Sequence, residues 1–344
     1  MKRFTKLSTL ALLLAMLMTI TACAPTKKEE VKEEPKTTEQ QSEVSEEEVA
    51  EESSEKEEVD KEEAEKEDAL TEITLTDMAG REVKLDGPAK KIVALTPSDC
   101  EILYAINAGD SVIGRGTYCD YPEEVQSVKE LTSGAETNIE EIIALEPDVV
   151  MMSMMSQTEE HVEALEKAGV KVIVSDASNI NEVFTAIKMI GIATGNEGAA
   201  ENLIKDMQAT FEEYRQKAEG KDGGSIYFEV SPLEFGLWTA GKNTFMDEIA
   251  EILGVKNAFE DVSGWSEISE EQVIERNPDH IATITMYFGE GPKPDEEIMQ
   301  RSGWEGINAV TNESVFMANS DEFSRPGPRL SEAVKALYEF IYEK

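Results

Sequence analysis

The chain has 344 residues, a formal net charge of −40 at pH 7, three cysteines and two histidines, and 40% of it is hydrophobic. That is enough apolar material for one large or two modest domains. The acidic balance excludes a nucleic-acid binder, which needs a basic face for phosphates, and works against polyanionic ligands through long-range repulsion.

Lys2, Arg3 and Lys6 precede a short apolar run over residues 7–20. The run falls short of the roughly 20 residues that span a bilayer and has no stop-transfer flank, so residues 1–22 read as a signal peptide. Thr21, Ala22 and Cys23 then resemble the lipobox of bacterial lipoproteins, in which the cysteine is lipidated and becomes the new N-terminus. That implies an extracytoplasmic protein held to the outer face of the cell membrane by its lipid alone. Residues 23–70 continue as Glu, Lys, Ser and Thr with almost no aromatic or branched side chains. Such a stretch buries too little apolar surface to fold and reads as an acidic, solvated tether.

From residue 71 the patterns change. Residues 73–85 alternate apolar and polar around Ala79 and Gly80, a β-hairpin signal placed at a sheet edge. Residues 91–95 predict a buried strand, 96–106 a helix opened by Pro97, and 112–114 a strand leading into a loop over 117–122. Residues 181–220 carry a helical period broken near Gly195 and Asn196; the second helix has Leu203, Ile204, Met207, Phe211 and Tyr214 on its apolar side. Strand–helix alternation then resumes with strands at 225–229, 280–285 and 315–318 and helices at 244–253 and 329–342. The alternation predicts parallel-rich α/β layers.

A weak internal repeat organises the whole. Asn138 starts a short helix with Glu140 in its first turn and Pro147-Asp148 after it; Ser269, Glu271 and Pro278-Asp279 repeat the arrangement. The expected fold is therefore α/β, with an N-terminal lobe over 71–180, linking helices over 181–220 and a C-terminal lobe over 221–344. A cleft between the lobes is the natural ligand site.

Several stretches, read together, resemble one family. They are residues 91–103, the Tyr-Cys-Asp-Tyr-Pro ending at Pro122, the two Glu-x6-Pro-Asp units and residues 324–330. The similarity is to helical-backbone (class III) substrate-binding lipoproteins of ABC importers for cobalamin, ferric siderophores and haem, and most of all to the cobalamin binders. It implies two Rossmann-like lobes joined by one long helix, with no enzymatic activity and no resident cofactor. It also implies delivery of ligand to an ABC permease and its ATPase subunits by a monomer. Glu140 and Glu271 match the glutamates that dock on the transporter. Tyr118 and Trp265 match aromatics of the cobalamin cleft, and Asp321 and Arg325 match a polar pair that meets the ligand. Ser153 and its methionine neighbours stand where a tryptophan is expected.

Without the family, the same residues still suit a wide, mostly planar ligand: Tyr118, Trp238, Trp265 and Tyr287 offer rigid faces, and Arg325 follows a strand end. Trp304 reads as lobe packing. Within the family the expected ligand is cobalamin or a related corrinoid, with a ferric siderophore second and haem third. A metal-cluster enzyme of related fold is the alternative from another class, but Cys100 and Cys119 are too few for a cluster. His161 on a helix and His280 on a strand do not form a metal site. In an oxidising compartment Cys100 and Cys119 are read equally as a disulfide or as two free thiols.

Overall fold

The computed structural model describes residues 72–155 and 157–343; the expected signal peptide, Cys23 and the expected tether lie outside the described residues. Strands β1 (Ile73–Thr76) and β2 (Glu82–Leu85) pair antiparallel with Ile73 opposite Leu85, as the alternation predicts. They form a separate two-stranded sheet rather than an edge of a larger one. Buried Asp77 fixes the hairpin by accepting from Arg81 and from the backbone N–H of Val174.

The N-terminal lobe then runs β3 (Ile92–Ala94), α1 (Pro97–Ala105), β4 (Val112–Gly116), β5 (Glu130–Leu131), α2 (Ile139–Ile143), β6 (Val149–Met152), α3 (Glu159–Lys167) and β7 (Lys171–Val174). Among the described residues its sheet has the order β5-β4-β3-β6-β7, with every pairing parallel. Parallel sheets are covered on both faces, and β3 and β6 are buried along their whole length.

Two helices connect the lobes, α4 (Ile180–Thr194) and α5 (Glu197–Ala218). The break between them falls at Gly195, whose φ of 70° is the left-handed helix end that glycine accepts without strain. Along α5, Ala200, Ile204, Met207, Phe211, Tyr214 and Ala218 are buried at alternating spacings of four and three. Each large side chain in that stripe contributes about 1.5–3 kcal/mol by leaving water. Helix α5 packs on α4 on one side.

The C-terminal lobe contains β8 (Ser225–Glu229), β9 (Leu237–Ala240), α6 (Phe245–Ile252), β10 (Lys256–Asn257), β11 (Trp265–Ile268), α7 (Glu270–Arg276) and β12 (His280–Thr283). It ends with α8 (Pro294–Met299), α9 (Asn308–Thr311), β13 (Val315–Met317), α10 (Ser320–Ser324) and α11 (Leu330–Tyr342). Helix α5 packs against α6 and α11 of this lobe. The sheet order is β11-β9-β8-β12-β13, with β10 also on β8; β9 and β11 run antiparallel to their neighbours. The sequence reading omits β9, β10 and β11, because β10 is two residues long and neither Leu237–Ala240 nor Trp265–Ile268 alternates apolar and polar residues. One apolar core runs from Leu75 through Ile102 and Phe211 to Leu337, so both lobes and the linking helices share it.

The repeat is real in three dimensions. Asn138 accepts from the N–H of Glu141, and Ser269 accepts from that of Gln272. The residue before each proline is left-handed, φ 50° at Glu146 and 46° at Asn277. Each Pro-Asp aspartate then ties down the start of the neighbouring strand: Asp148 accepts from the N–H groups of Lys90 and Lys91, and Asp279 from that of Ser225.

Candidate functional site

A cleft of about 520 Å³ lies between the lobes, within the usual range for a small-molecule site. Its N-terminal wall is built from residues that follow the parallel strands: Thr96 and Pro97 after β3, Tyr118 after β4, Ser133 after β5, Ser153 and Met155 after β6, Ser175 and Asp176 after β7. Ligands of open α/β sheets bind at these carboxyl ends, where loops free of ladder bonds can present side chains. The C-terminal wall consists of Phe245, Trp265, Met286, Asp321 and Arg325.

Four of the expected ligand residues meet here. Tyr118 is 64% exposed and faces the cleft as a free aromatic surface. Trp265 is half-buried and braced by Phe245, ring centroids 5.3 Å apart. Asp321 lies in the first turn of α10 and Arg325 directly follows that helix, so the Asp-x-x-x-Arg spacing is one helical turn and their ion pair closes at 2.9 Å.

Trp238 is not brought to the cleft. In the β9–β11 register Trp265 stands opposite Ala240, whereas Trp238 stands opposite Glu267. The period of two puts both indoles on one face but separates them by a cross-strand step, and Trp238 remains outside the cleft wall. Tyr287 also stays outside, its hydroxyl donating to the carbonyl of Gly291. Trp304 is fully buried against Tyr227, as packing predicts.

Arg325 is held differently from a free ligand anchor. Its Nη1 lies 3.0 Å from Glu101 and 2.8 Å from Asp120, both in the N-terminal lobe, while Nη2 holds Asp321. Arg329 adds two bonds to Glu101, at 2.9 and 2.6 Å. The network joins the lobes directly behind the cleft. A larger groove of about 670 Å³ opens on its other side, between Tyr104, Tyr121 and Glu332; it is lined mainly by α1, the β4 loop and the start of α11, and neither Tyr118 nor Trp265 reaches it.

Sequence reasoning missed the polar floor. Asp176 accepts from the Ser153 hydroxyl and the Met154 N–H, and the Ser175 hydroxyl donates to Asp99. Burial pushes the Asp99 carboxyl up to about 7, the Ser175 bond only partly opposing it, and its Oδ2 has no partner. The strand-end rule would have flagged Asp176; Asp99, on a short helix, gives no such signal. Cys100 and Cys119 are buried free thiols, and the Cys100 contact together with burial holds the Cys119 thiol well above its ordinary range.

Glu140 and Glu271 are both exposed, and neither joins an ion pair among the described residues. Each comes six residues after a cleft residue of its own lobe, Gly134 and Trp265 respectively. His161 accepts from the Thr158 N–H at the start of α3, and His280 packs on Phe340. Among the described residues no group of three metal-ligating side chains occurs.

The pattern of the periplasmic binding protein family matches residues 92–322. An uncharacterized ABC transporter substrate-binding lipoprotein of Bacillus subtilis, YvrC, is 38% identical over 77% of this chain and 84% of its own length. A vitamin B12-binding protein of Salmonella paratyphi A is 29% identical over 72% of this chain and 89% of its own. A crystal structure from Staphylococcus epidermidis, described as a possible iron-binding (periplasmic solute-binding) protein, superposes with a TM-score of 0.66 at 33% identity, covering 74% of this chain and 99% of that one. With more than half of its length matched and a relative this similar, the chain belongs to the periplasmic binding protein family.

Proposed function

We propose that this protein is an extracytoplasmic solute-binding lipoprotein that captures cobalamin or a related corrinoid and delivers it to an ABC import permease. The observation that carries the reading is the cleft itself, with one aromatic face from each lobe, Tyr118 and Trp265, and hydrogen-bonding side chains between them. A corrinoid is broad and edged with amides, so it matches aromatic walls and a polar floor. The similarity to vitamin B12-binding proteins supports it. Glu140 and Glu271, one per lobe and equivalently placed, would dock on basic residues of the permease. Cys23 would carry the lipid, residues 1–22 would be removed as the signal peptide, and residues 23–70 would space the monomeric domain from the membrane. Among the described residues no helix is long and apolar enough to cross a bilayer.

A ferric siderophore is the second reading, in keeping with the description of the Staphylococcus protein as possibly iron-binding. Native mass spectrometry of the purified protein with a panel of corrinoids, ferric siderophores and haem tests both. Retention of a corrinoid at micromolar concentration supports the first; retention of a siderophore alone replaces it with the second.

A further inference from the structure

We infer that the cleft selects by charge: it refuses anionic ligands, because the guanidinium lining it is already neutralised by carboxylates from both lobes. The inference rests on the solute-binding reading but names the ligand class independently of corrinoid chemistry.

Among the described residues Arg325 is the cation lining the cleft. Its Nη1 is shared by Glu101 and Asp120, and its Nη2 is taken by Asp321. The side chain is only 9% exposed and both of its terminal nitrogens already carry carboxylates, so an incoming carboxylate or catecholate competes with bonds already made. Arg329, the next cation, is bound to the same Glu101. With Asp176 on the floor, four carboxylates face two guanidinium groups, leaving the region net negative before any ligand arrives. For an anion to claim Arg325 it would have to displace one of the three carboxylates already on it; Glu101, whose side chain is 2% exposed, would then keep Arg329 alone as its counter-charge. A neutral or cationic ligand meets no such cost and finds acceptors in Asp176 and Asp321 for its N–H groups.

The test uses the full-length protein and three probes: cyanocobalamin, a ferric trihydroxamate bearing a free ammonium, and a ferric tris-catecholate carrying three negative charges. Dissociation constants are read from tryptophan fluorescence at physiological salt. The neutral or the cationic probe is expected to bind at least a hundredfold more tightly than the tris-catecholate. Binding of the trihydroxamate without the corrinoid supports charge selection while overturning the corrinoid reading. Tris-catecholate binding as tight as that of the other two overturns charge selection whatever the corrinoid does. Asp120→Asn, at a half-exposed position outside the cleft lining, is expected to raise the affinity for the tris-catecholate relative to the preferred probe at least tenfold, and Glu101→Gln more so. An unchanged ratio in the Asp120→Asn protein would sink the idea even if Glu101→Gln fails to fold.

Discussion

Arg325 and Glu101 are 224 residues apart in the chain, yet their side chains meet at 3.0 Å across the boundary between the lobes. The contact is nearly dry, and Arg329 approaches the same carboxylate from a second direction. It ties helix α1 of one lobe to the segment between α10 and α11 of the other, immediately behind the cleft. The lobes are therefore coupled twice, once through a shared apolar core and once through this ionic cluster.

The first prediction concerns that coupling. Glu101→Ala leaves two buried guanidinium groups short of a partner, which costs about 3–5 kcal/mol when one side of a buried pair is removed. Urea denaturation should show a correspondingly lower midpoint. A loss below about 1 kcal/mol would mean that the pair is solvated in solution and does not join the lobes.

Asp99 sets a pH dependence of stability. Its folded pKa is raised from 3.8 to about 7, so between those values the native state holds a proton that the unfolded chain has released. Stability should then fall as pH rises from about 4 to about 7 and level off above, by up to about 4 kcal/mol from this group. Asp99→Asn keeps the Ser175 contact without the charge and should flatten that slope while raising the melting temperature at pH 8. An unchanged slope in the variant would assign the effect elsewhere.

Ligand binding should separate the two tryptophans. Trp265→Ala removes a braced aromatic wall and should weaken corrinoid binding by about 2 kcal/mol or more, the range of an interface anchor. Trp238→Ala lies outside the cleft wall and should change it by less than about 0.5 kcal/mol. Isothermal titration of both variants decides; equal losses would extend the binding site along β9.

Transport should depend on the paired glutamates without any change in ligand affinity. Replacing Glu140 and Glu271 with alanine together is expected to abolish uptake in cells while titration of the purified protein stays normal. Complex formation with the permease should weaken as salt rises, since exposed charges are screened beyond about 8–10 Å. Normal uptake by the double variant would leave the repeat with an architectural role only.

Attachment is tested at Cys23. Cys23→Ser should release the protein into the medium or leave it with its leader uncleaved. Wild-type protein found in the medium without acyl groups would remove the lipid anchor from the proposal.

The regular elements with a strong local signal were legible from the residues alone. Alternation marked the β1–β2 hairpin, a three-and-four spacing marked the buried stripe of α5, and Gly195 marked the break before it. The two Pro-Asp units disclosed the repeat, because a capped short helix followed by a strand is encoded within a dozen residues. Tyr118, Trp265, Asp321 and Arg325 were legible as cleft residues through the resemblance to cobalamin binders; of the four, Arg325 was also marked locally, by its place after a strand end. What the chain order did not carry was anything depending on contacts between distant segments. Trp238 and Trp265 look equivalent as isolated indoles, and the register of β9 on β11 separates them. Glu101 looks like an ordinary polar residue of a short helix, and Arg325 like a free anchor. Their partnership exists because packing around one core brings residues 224 apart into hydrogen-bond range. Local periodicity thus determined the elements and the repeat, whereas the charge state of the cleft was decided by tertiary contacts, since an arginine's availability depends on which carboxylates the fold sets beside it.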